Sequence, residues 1–473
     1  MNSVSNSAEL RVGLCGLGTV GQGLVELLEK NAATIARQAG RPIRLVQVAS
    51  RTPKPSVDLH GARFTTDIAD VIGANDIDCV VELIGGESVA LELSQRALDS
   101  GKSLVTGNKA LLALHGDDLF RRARASGASI GLEAAVAGGI PLINTLLSGM
   151  GGNQIDWVAG IINGTCNYIL TAMTEDGADF ADVLKTAQEL GYAEADPTFD
   201  VGGIDAAHKI AIIAALVFGV PVNFSDVPVT GIDGVGSEDI EYARRLGYRI
   251  KHLGVAAGER DAAGALIAMD VRAHAALIPE DALLAGVNGV TNAAMVKDNA
   301  VGLSLYAGPG AGGSPTAASV VADLIRVAQG APLMPQGHTG DISTGKSPGG
   351  AAAVPLKPIE ESAAPFYLRI PVRDQPGVLA KISNLLGQEG ISIESVIQRE
   401  QAVRRSSPTA APTAAPTAAP STAKEAGSSW VPIVLLTQRV AEGAVRRALA
   451  TISDSPEVVG DIVSIRVETL SDA

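Results

Sequence analysis

Short apolar runs alternate with segments of helical periodicity in the first third of the chain. The runs are rich in valine, isoleucine and leucine. Five of them predict strands, at Val12–Cys15, Leu45–Ala49, Cys79–Ile84, Leu104–Thr106 and Ile130–Leu132. Strands that alternate with helices are typical of a parallel sheet with crossover helices. The pattern therefore predicts an α/β domain over residues 1–150.

A different pattern follows over residues 151–330. A strand-like segment at Val158–Ile162 precedes long stretches of helical spacing, and another strand is predicted at Ala265–Val271. This mixture predicts an α+β domain. Residues 339–362 are rich in glycine and proline, and we predict that they form a linker.

The last part of the chain, residues 363–473, predicts a small separate domain. Its strands and helices follow the order βαββαβ, which is the ferredoxin-like arrangement. Residues 406–429 form a low-complexity insertion with repeated Pro-Thr-Ala-Ala, and we expect a solvated loop there. The predicted elements are a strand from Phe366 to Val372, a helix Val378–Leu386, strands Ile391–Ile397 and Ile433–Leu436, a helix Glu442–Ile452 and a strand Val458–Val467.

Composition narrows the class of protein. The 473 residues are 46% hydrophobic and 19% charged, which excludes wholesale disorder and suits about three domains. Lysine and arginine number 37 against 51 acidic residues, so the net charge is −14. Because the chain is acidic and only 3% aromatic, we expect no nucleic-acid partner.

The cysteines and the N-terminus indicate a compartment. Three scattered cysteines are too few for a disulfide framework or a cysteine-rich zinc site. The first ten residues lack the basic and apolar regions of a signal peptide, and no apolar run approaches the ~20 residues that span a bilayer. We expect a soluble, cytoplasmic protein with no membrane partner.

A glycine-rich loop follows the first predicted strand. Gly16-Leu17-Gly18-Thr19-Val20-Gly21 has the spacing G-x-G-x-x-G, and a helical pattern begins directly after it. In such loops the first glycine makes a tight turn, the second admits a pyrophosphate, and the third lets helix and strand pack closely. The position of the loop at the start of an α/β region favours a Rossmann-type, dinucleotide-binding domain over a plain strand–turn–helix.

Arg51 bears on the choice of dinucleotide. It follows the second predicted strand, where an acidic residue would bind the ribose diol of NAD, and Lys54 is nearby. A cation there suits the extra phosphate of NADP. We therefore favour NADP(H); NAD(H) stays possible, and Arg51 as an ordinary surface cation is the alternative.

Two lysines are candidates for chemistry. The apolar helix predicted at Ile204–Phe218 carries Asp205 and Lys209, which share one face because they are four residues apart. The pair is either an intrahelical ion pair at an exposed end or a polar face of a substrate site, where a buried lysine can transfer protons. Lys109 follows a strand at the sheet edge where α/β proteins bind ligands. His208 is interpreted as structural.

Six motifs resemble those of homoserine dehydrogenases and together cover most of the chain. They are Gly16–Gly23, Thr106–Lys109, Leu132–Pro141, Ile162–Leu170, Gly191–Lys209 and Gly308–Gly313. The resemblance implies an enzyme that interconverts L-homoserine and L-aspartate 4-semialdehyde with NAD(P)H, in the biosynthesis of threonine, methionine and isoleucine. No kinase region precedes the glycine-rich loop, so we expect the monofunctional form.

The resemblance also implies roles for individual residues. Lys209 is implied as the catalytic proton donor and acceptor, and Glu194 and Asp205 as ligands of the ammonium group of homoserine. A bound sodium ion is implied, with oxygens of Glu133, Val136, Gly138 and Ile140 as ligands. The glycine-rich loop, Arg51 and the resemblance together give the predicted cofactor-binding positions Leu17, Gly18, Thr19, Val20, Arg51, Lys109, Gly191, Gly310 and Gly312.

The C-terminal domain resembles an ACT domain. Asp374-Gln375-Pro376-Gly377-Val378-Leu379 matches the loop and helix start of that family, within the predicted order βαββαβ. ACT domains commonly bind an amino acid between paired domains. The resemblance therefore implies L-threonine as effector. A homodimer or homotetramer is implied by the resemblance to homoserine dehydrogenases, whose substrate domains pair and bury a sheet.

Two alternatives to this function stay open. A thiol-dependent semialdehyde dehydrogenase would need a reactive cysteine, for which Cys166 is the candidate because it stands near a predicted helix start. A catalytically silent sensor of NADP and amino acids would not need both Lys109 and Lys209, and their joint presence favours an enzyme.

Overall fold

The computed structural model describes residues 9–331, 354–398 and 430–470. The chain divides into two compact units, Met1–Lys357 with Thr469–Ala473, and Pro358–Glu468. The insertion predicted at 406–429 and most of the linker predicted at 339–362 lie outside the described residues. The boundary predicted at residue 150 stays a prediction.

The first unit begins with a six-stranded parallel sheet of order β3-β2-β1-β4-β5-β6. The chain order reverses between β1 and β4, and such a switch point leaves a crevice for ligands at the carboxyl ends of the strands. The strands are β1 Leu10–Cys15, β2 Ile43–Ala49, β3 Arg63–Thr65, β4 Cys79–Glu82, β5 Ser103–Thr106 and β6 Ile130–Gly131. The helices are α1 Thr19–Lys30, α2 Ala32–Ala39, α3 Ile68–Gly73, α4 Ser88–Asp99 and α5 Lys109–Ser126.

An antiparallel arrangement of five strands follows, in the order β11-β10-β7-β8-β9. Its strands are β7 Ile155–Ile161, β8 Tyr248–Arg260, β9 Leu266–Pro279, β10 Thr291–Asp298 and β11 Gly302–Pro309. The helices are α6 Leu142–Asn144, α7 Gly164–Asp176, α8 Phe180–Glu189, α9 Thr198–Val201, α10 Ile204–Phe218, α11 Ser237–Arg245 and α12 Gly313–Gln329. The helix predicted at 204–218 is confirmed, and the strand predicted at 265–271 extends further, to Pro279.

Helix α12 packs on helix α1, although the two are far apart in the sequence. A Cβ atom at Gly23 would lie 2.9 Å from the backbone oxygen of Gly313, so only glycine allows this crossing. Leu24 and Val25 of α1 share a buried cluster with Val320 and Leu324 of α12. The helix that begins at the glycine-rich loop is therefore covered by a late segment of the chain.

The second unit has the predicted order βαββαβ, with four antiparallel strands ordered β17-β13-β15-β14. The closing strand is shorter than predicted and begins at Val463, because Val458 forms only an isolated bridge with Val372 and residues 459–462 lie outside any strand. The elements are β12 Ala363–Ala364, β13 Phe366–Arg373, α13 Val378–Gln388, β14 Ile393–Gln398, β15 Trp430–Thr437, β16 Val440–Ala441, α14 Glu442–Ser453 and β17 Val463–Val467. Among the helices described, none is long and apolar enough to cross a bilayer.

Candidate active site

The glycine-rich loop joins β1 to α1 with the geometry of an anion site. Gly16 has φ of 109°, and a Cβ atom there would lie 2.4 Å from the backbone oxygen of Leu83. A Cβ atom at Gly21 would lie 2.1 Å from the oxygen of Gly16. Gly18 faces open space, and no side chain caps the start of α1. The first N–H groups of the helix are therefore free to bind a phosphate.

A cavity of about 500 Å³ opens at this loop. Its wall combines the glycine-rich loop with the carboxyl ends of β4 and β5 and with the segment that precedes α10. Five of the predicted site residues line it: Gly18, Thr19, Val20, Lys109 and Glu194. The glycine-rich loop and a candidate substrate ligand thus share one cavity.

Other predicted cofactor positions stand apart from the wall of this cavity. The Leu17 side chain is buried in the core, which leaves its backbone for a ligand. Arg51 is exposed after β2 and forms no ion pair within the described part of the chain. Gly191 is exposed after α8 with φ of 75°. Gly310 and Gly312 lie in the loop that leads into α12.

Asp205 brings the two candidate lysines together. It is buried in the first turn of α10, with 3% of its surface exposed. Its Oδ2 accepts a hydrogen bond from Lys209 Nζ at 2.8 Å, and its Oδ1 lies 2.9 Å from Lys109 Nζ. Lys209 Nζ also donates to the backbone oxygen of Ile162 at 2.7 Å. The two ammonium groups therefore meet at one carboxylate, from helices that begin in different parts of the chain.

Asn163 completes this cluster, although no pattern in the sequence indicates a role for it there. Its Nδ2 donates to Asp205 Oδ2 at 2.9 Å and to Asp200 Oδ1 at 2.8 Å. Its Oδ1 accepts from the backbone N–H of Cys166 and so caps α7. An asparagine before a helix start is a recognisable cap signal, but its bridge between two distant carboxylates leaves no trace in the sequence.

The charges of the cluster set the protonation of its acids. Burial opposes the ionisation of Asp205, but Lys209 and Lys109 outweigh it and hold the pKa of that carboxyl below its usual value. Burial raises the pKa of Asp200, and the negative charge of Asp205 adds to this increase. Asp205 is thus the fixed anion between the two lysines.

Cys166 lacks the properties of a reactive thiol. It is fully buried, and burial raises the pKa of its thiol well above the ordinary value, with Asp200 and Asp205 adding to the increase. Its Sγ donates to the backbone oxygen of Asp200 at 3.2 Å. Since thiolates are the nucleophilic form, this geometry gives no support to thiol-dependent chemistry.

His208 packs among aromatic rings, as its structural interpretation implies. Its ring meets Phe199 edge-on at 5.5 Å and Phe224 at 4.2 Å between centroids. Phe199 lines the cavity and lies 5.4 Å from Lys109 Nζ. Packing of His208 therefore supports a ring that covers Lys109.

The four predicted cation ligands lie in a buried turn after β6. The carboxylate of Glu133 accepts from the backbone N–H groups of Ile143 and Asn144, and its backbone oxygen accepts from the Val136 N–H at 3.4 Å, which leaves that oxygen one lone pair for a cation. Ser319 donates to the oxygen of Gly138 at 2.5 Å. No described residue donates to the oxygen of Val136, which is fully buried. This unpaired buried oxygen fits a hard cation.

Side chains alone form no metal site here. Among the described residues, no group of three or more His, Cys, Asp and Glu side chains is placed to hold a metal ion. The Leu142 N–H donates to the oxygen of Ile140 at 2.7 Å, so that predicted ligand is already engaged once. A carbonyl oxygen has two lone pairs, and one remains.

Two family models cover the residues that form the cavity and the buried cluster. The family model "Homoserine dehydrogenase" matches residues 141–325, and "Homoserine dehydrogenase, NAD binding domain" matches residues 16–133. A homoserine dehydrogenase of Pseudomonas aeruginosa is 46% identical over 462 residues, which cover 98% of this chain and 99% of the relative. The chain belongs to the homoserine dehydrogenase family. It is thus an NAD(P)-dependent oxidoreductase that acts on a CH–OH group.

Solved structures of homoserine dehydrogenases support the same assignment. The one from Thiobacillus denitrificans has a TM-score of 0.84 and 42% identity, covering 98% of this chain and 99% of that one. A hyperthermophilic archaeal homoserine dehydrogenase in complex with NADPH has a TM-score of 0.59 and 25% identity, covering 69% of this chain and 100% of that one. The ACT domain model matches residues 366–406. The predicted family and fold class are confirmed.

Proposed function

We propose that this homoserine dehydrogenase interconverts L-homoserine and L-aspartate 4-semialdehyde with Lys209 as its proton donor and acceptor. The observation that carries the proposal is the pairing of Lys109 and Lys209 on the buried Asp205, beside the cavity of the glycine-rich loop. NADP(H) is the favoured cofactor and NAD(H) is possible. When bound, its nicotinamide exchanges a hydride with C4 of the substrate.

The residues of the cluster divide the remaining work. Lys209 moves the proton on the substrate oxygen, and its bond to the oxygen of Ile162 fixes its position. Glu194, exposed at the cavity wall, binds the substrate ammonium group. Asp205 also binds the substrate. Because each of its two carboxylate oxygens contacts a lysine, it orients Lys109 and Lys209 as well. Lys109 stands at the junction of cofactor and substrate.

We propose that backbone groups bind the cofactor and the cation. We assign the loop residues Leu17, Gly18, Thr19 and Val20 to the cofactor, and Gly191, Gly310 and Gly312 as backbone contacts to the nucleotide. The oxygens of Glu133, Val136, Gly138 and Ile140 would hold a sodium ion. Such an ion supplies a fixed positive charge that stabilises this turn, in which Ala137 has the uncommon φ of 56°.

The ACT domain is the basis for the proposed regulation by an amino acid. An amino acid is the effector class, and L-threonine is the proposed member, since the pathway supplied by homoserine leads to threonine, methionine and isoleucine. The homodimer or homotetramer and the cytoplasmic location stay predictions.

The first test is NADP⁺ reduction by the purified full chain with L-homoserine. We expect homoserine-dependent reduction, faster with NADP⁺ than with NAD⁺, slower when choline replaces Na⁺, and inhibited by L-threonine. A folded protein that reduces neither cofactor would overturn the proposed function. If threonine does not inhibit, only the proposed regulation is overturned. If choline in place of Na⁺ has no effect, only the proposed sodium site is overturned.

Arg51→Asp tests the proposed preference for NADP. An acidic residue at the end of β2 suits the ribose diol of NAD and repels the 2′-phosphate of NADP. We expect the ratio of kcat/KM for NADP⁺ to that for NAD⁺ to fall by about 100-fold, which corresponds to one lost charge-assisted contact and one new repulsion. Arg44→Asp on β2 is the control and should keep the ratio. An unchanged ratio in Arg51→Asp would show that Arg51 is an ordinary surface cation.

A further inference from the structure

Glu82 is a buried acid in the wall of the cofactor cavity. It is the last residue of β4, none of its surface is exposed, and it lines the same cavity as Gly18 and Lys109. Its Oε1 accepts from the backbone N–H groups of Ile84 at 2.9 Å and Gly85 at 3.1 Å. No step proposed above uses it.

The hydrogen bonds around Glu82 favour its ionised form. Thr106 Oγ1 lies 2.5 Å from Glu82 Oε2 and itself accepts from the backbone N–H of Asn108 at 3.0 Å. The Thr106 proton is therefore free to point at Glu82. Three donors thus converge on the carboxyl group, and an ionised carboxylate, which has no donor of its own, accepts from all three. Burial raises the pKa of Glu82, and these hydrogen bonds oppose that increase.

The sheet order places Glu82 on the nicotinamide side of the cavity. In sheets of order 3-2-1-4-5-6 the dinucleotide lies across the switch point between β1 and β4, one half on each side. Arg51, proposed to meet the adenosine ribose, follows β2 on one side. Glu82 ends β4 on the other side, with Lys109 directly after β5.

We propose that the buried charge of Glu82 favours the oxidised, cationic nicotinamide over the neutral reduced form. The inference rests on the proposed cofactor site and adds a role that the catalytic cluster does not supply. NADP⁺ carries a positive ring and NADPH does not, so a fixed anion in a water-poor wall stabilises only the former. Glu82 thereby shifts the equilibrium between the two bound forms toward NADP⁺.

Glu82→Gln separates charge from geometry. The glutamine oxygen can accept from Ile84 and Gly85, and its amide can donate to Thr106, whose hydroxyl accepts as well as donates. We expect the Kd of NADP⁺ to rise about five- to tenfold and that of NADPH to stay within about twofold, from titrations of nucleotide fluorescence and calorimetry. Thr106→Val is the matched control. Because valine would remove a hydrogen bond that opposes the raised pKa of Glu82, Thr106→Ser is used beside it: serine keeps the hydroxyl and the charge and should leave the ratio of the two Kd values unchanged.

A second pair of variants covers a failure of Glu82→Gln to fold. Glu82→Asp and Glu82→Asn have equally short side chains and differ in charge. Only the asparagine variant should therefore raise the ratio of the Kd of NADP⁺ to the Kd of NADPH. Equal ratios in wild type and in the folded charge-free variants would overturn the inference while leaving the proposed function intact. A wild-type protein that binds neither nucleotide would instead overturn the proposed function.

Discussion

Lys209→Met is expected to lower kcat by about 10²–10⁴-fold while the Kd of NADPH stays nearly unchanged. The size of the loss is that of one proton-transfer group. Methionine keeps most of the length of the side chain, and Asp205 retains Lys109 as its partner. Lys209 does not belong to the glycine-rich loop, so nucleotide binding should survive. Steady-state kinetics and fluorescence titration with NADPH give the two quantities.

Lys185→Met is the matched control for this variant. Lys185 is an exposed lysine of α8 with no ion-pair partner among the described residues, and its loss should leave kcat within about twofold. Weakened NADPH binding in Lys209→Met, with kcat unchanged at saturation, would contradict the proton-transfer role and point to a cofactor contact instead.

Asp205→Asn is expected to damage both stability and turnover. The carboxylate accepts from Lys209 and Asn163 on one oxygen and pairs with Lys109 on the other. Asparagine offers one acceptor oxygen, and its NH₂ group would face a donor at the second position. Removing one partner of a buried ion pair costs about 3–5 kcal/mol. We expect a loss of that size in the free energy of unfolding and at least a tenfold fall in kcat/KM.

Urea unfolding and steady-state kinetics on the same preparation measure the two effects of Asp205→Asn. Asp233→Asn, an exposed aspartate without a described charge partner, is the control and should change stability by less than about 0.5 kcal/mol. Wild-type stability in Asp205→Asn would show that the carboxylate does not hold the two lysines as its contacts indicate.

The features that could be predicted from the sequence are those that depend on short patterns of neighbouring residues. The glycine spacing from Gly16 to Gly21 predicts a loop followed by a helix, and the apolar periodicity predicts α10. The structure contains both of these elements. Lys109 and Lys209 were separate candidates, and their meeting at Asp205 required the fold. Asn163 and Glu82 were missed because their partners lie across the fold: Asp205 is 42 residues from Asn163, and Thr106 is 24 residues from Glu82.

The proposed cation turn was beyond residue-level reasoning for a different reason. Its ligands are backbone oxygens, which every residue carries, so only the resemblance of Leu132–Pro141 to a family motif pointed to it. What distinguishes the turn is conformation, such as the positive φ of Ala137 and the unpaired oxygen of Val136. Neither property has a residue-type signature.

The packing of α12 on α1 also sets an order for biosynthesis. Synthesis proceeds from the N-terminus, so α1 leaves the ribosome long before α12, which begins at Gly313. Until then the apolar side of α1, with Leu24, Val25 and Leu28, has no cover from its late partner. Long-range contacts of this kind form slowly, and unfinished intermediates expose apolar surface to chaperones and to aggregation. A nascent chain thus completes the packing around the helix of its glycine-rich loop only after synthesis has passed Gln329.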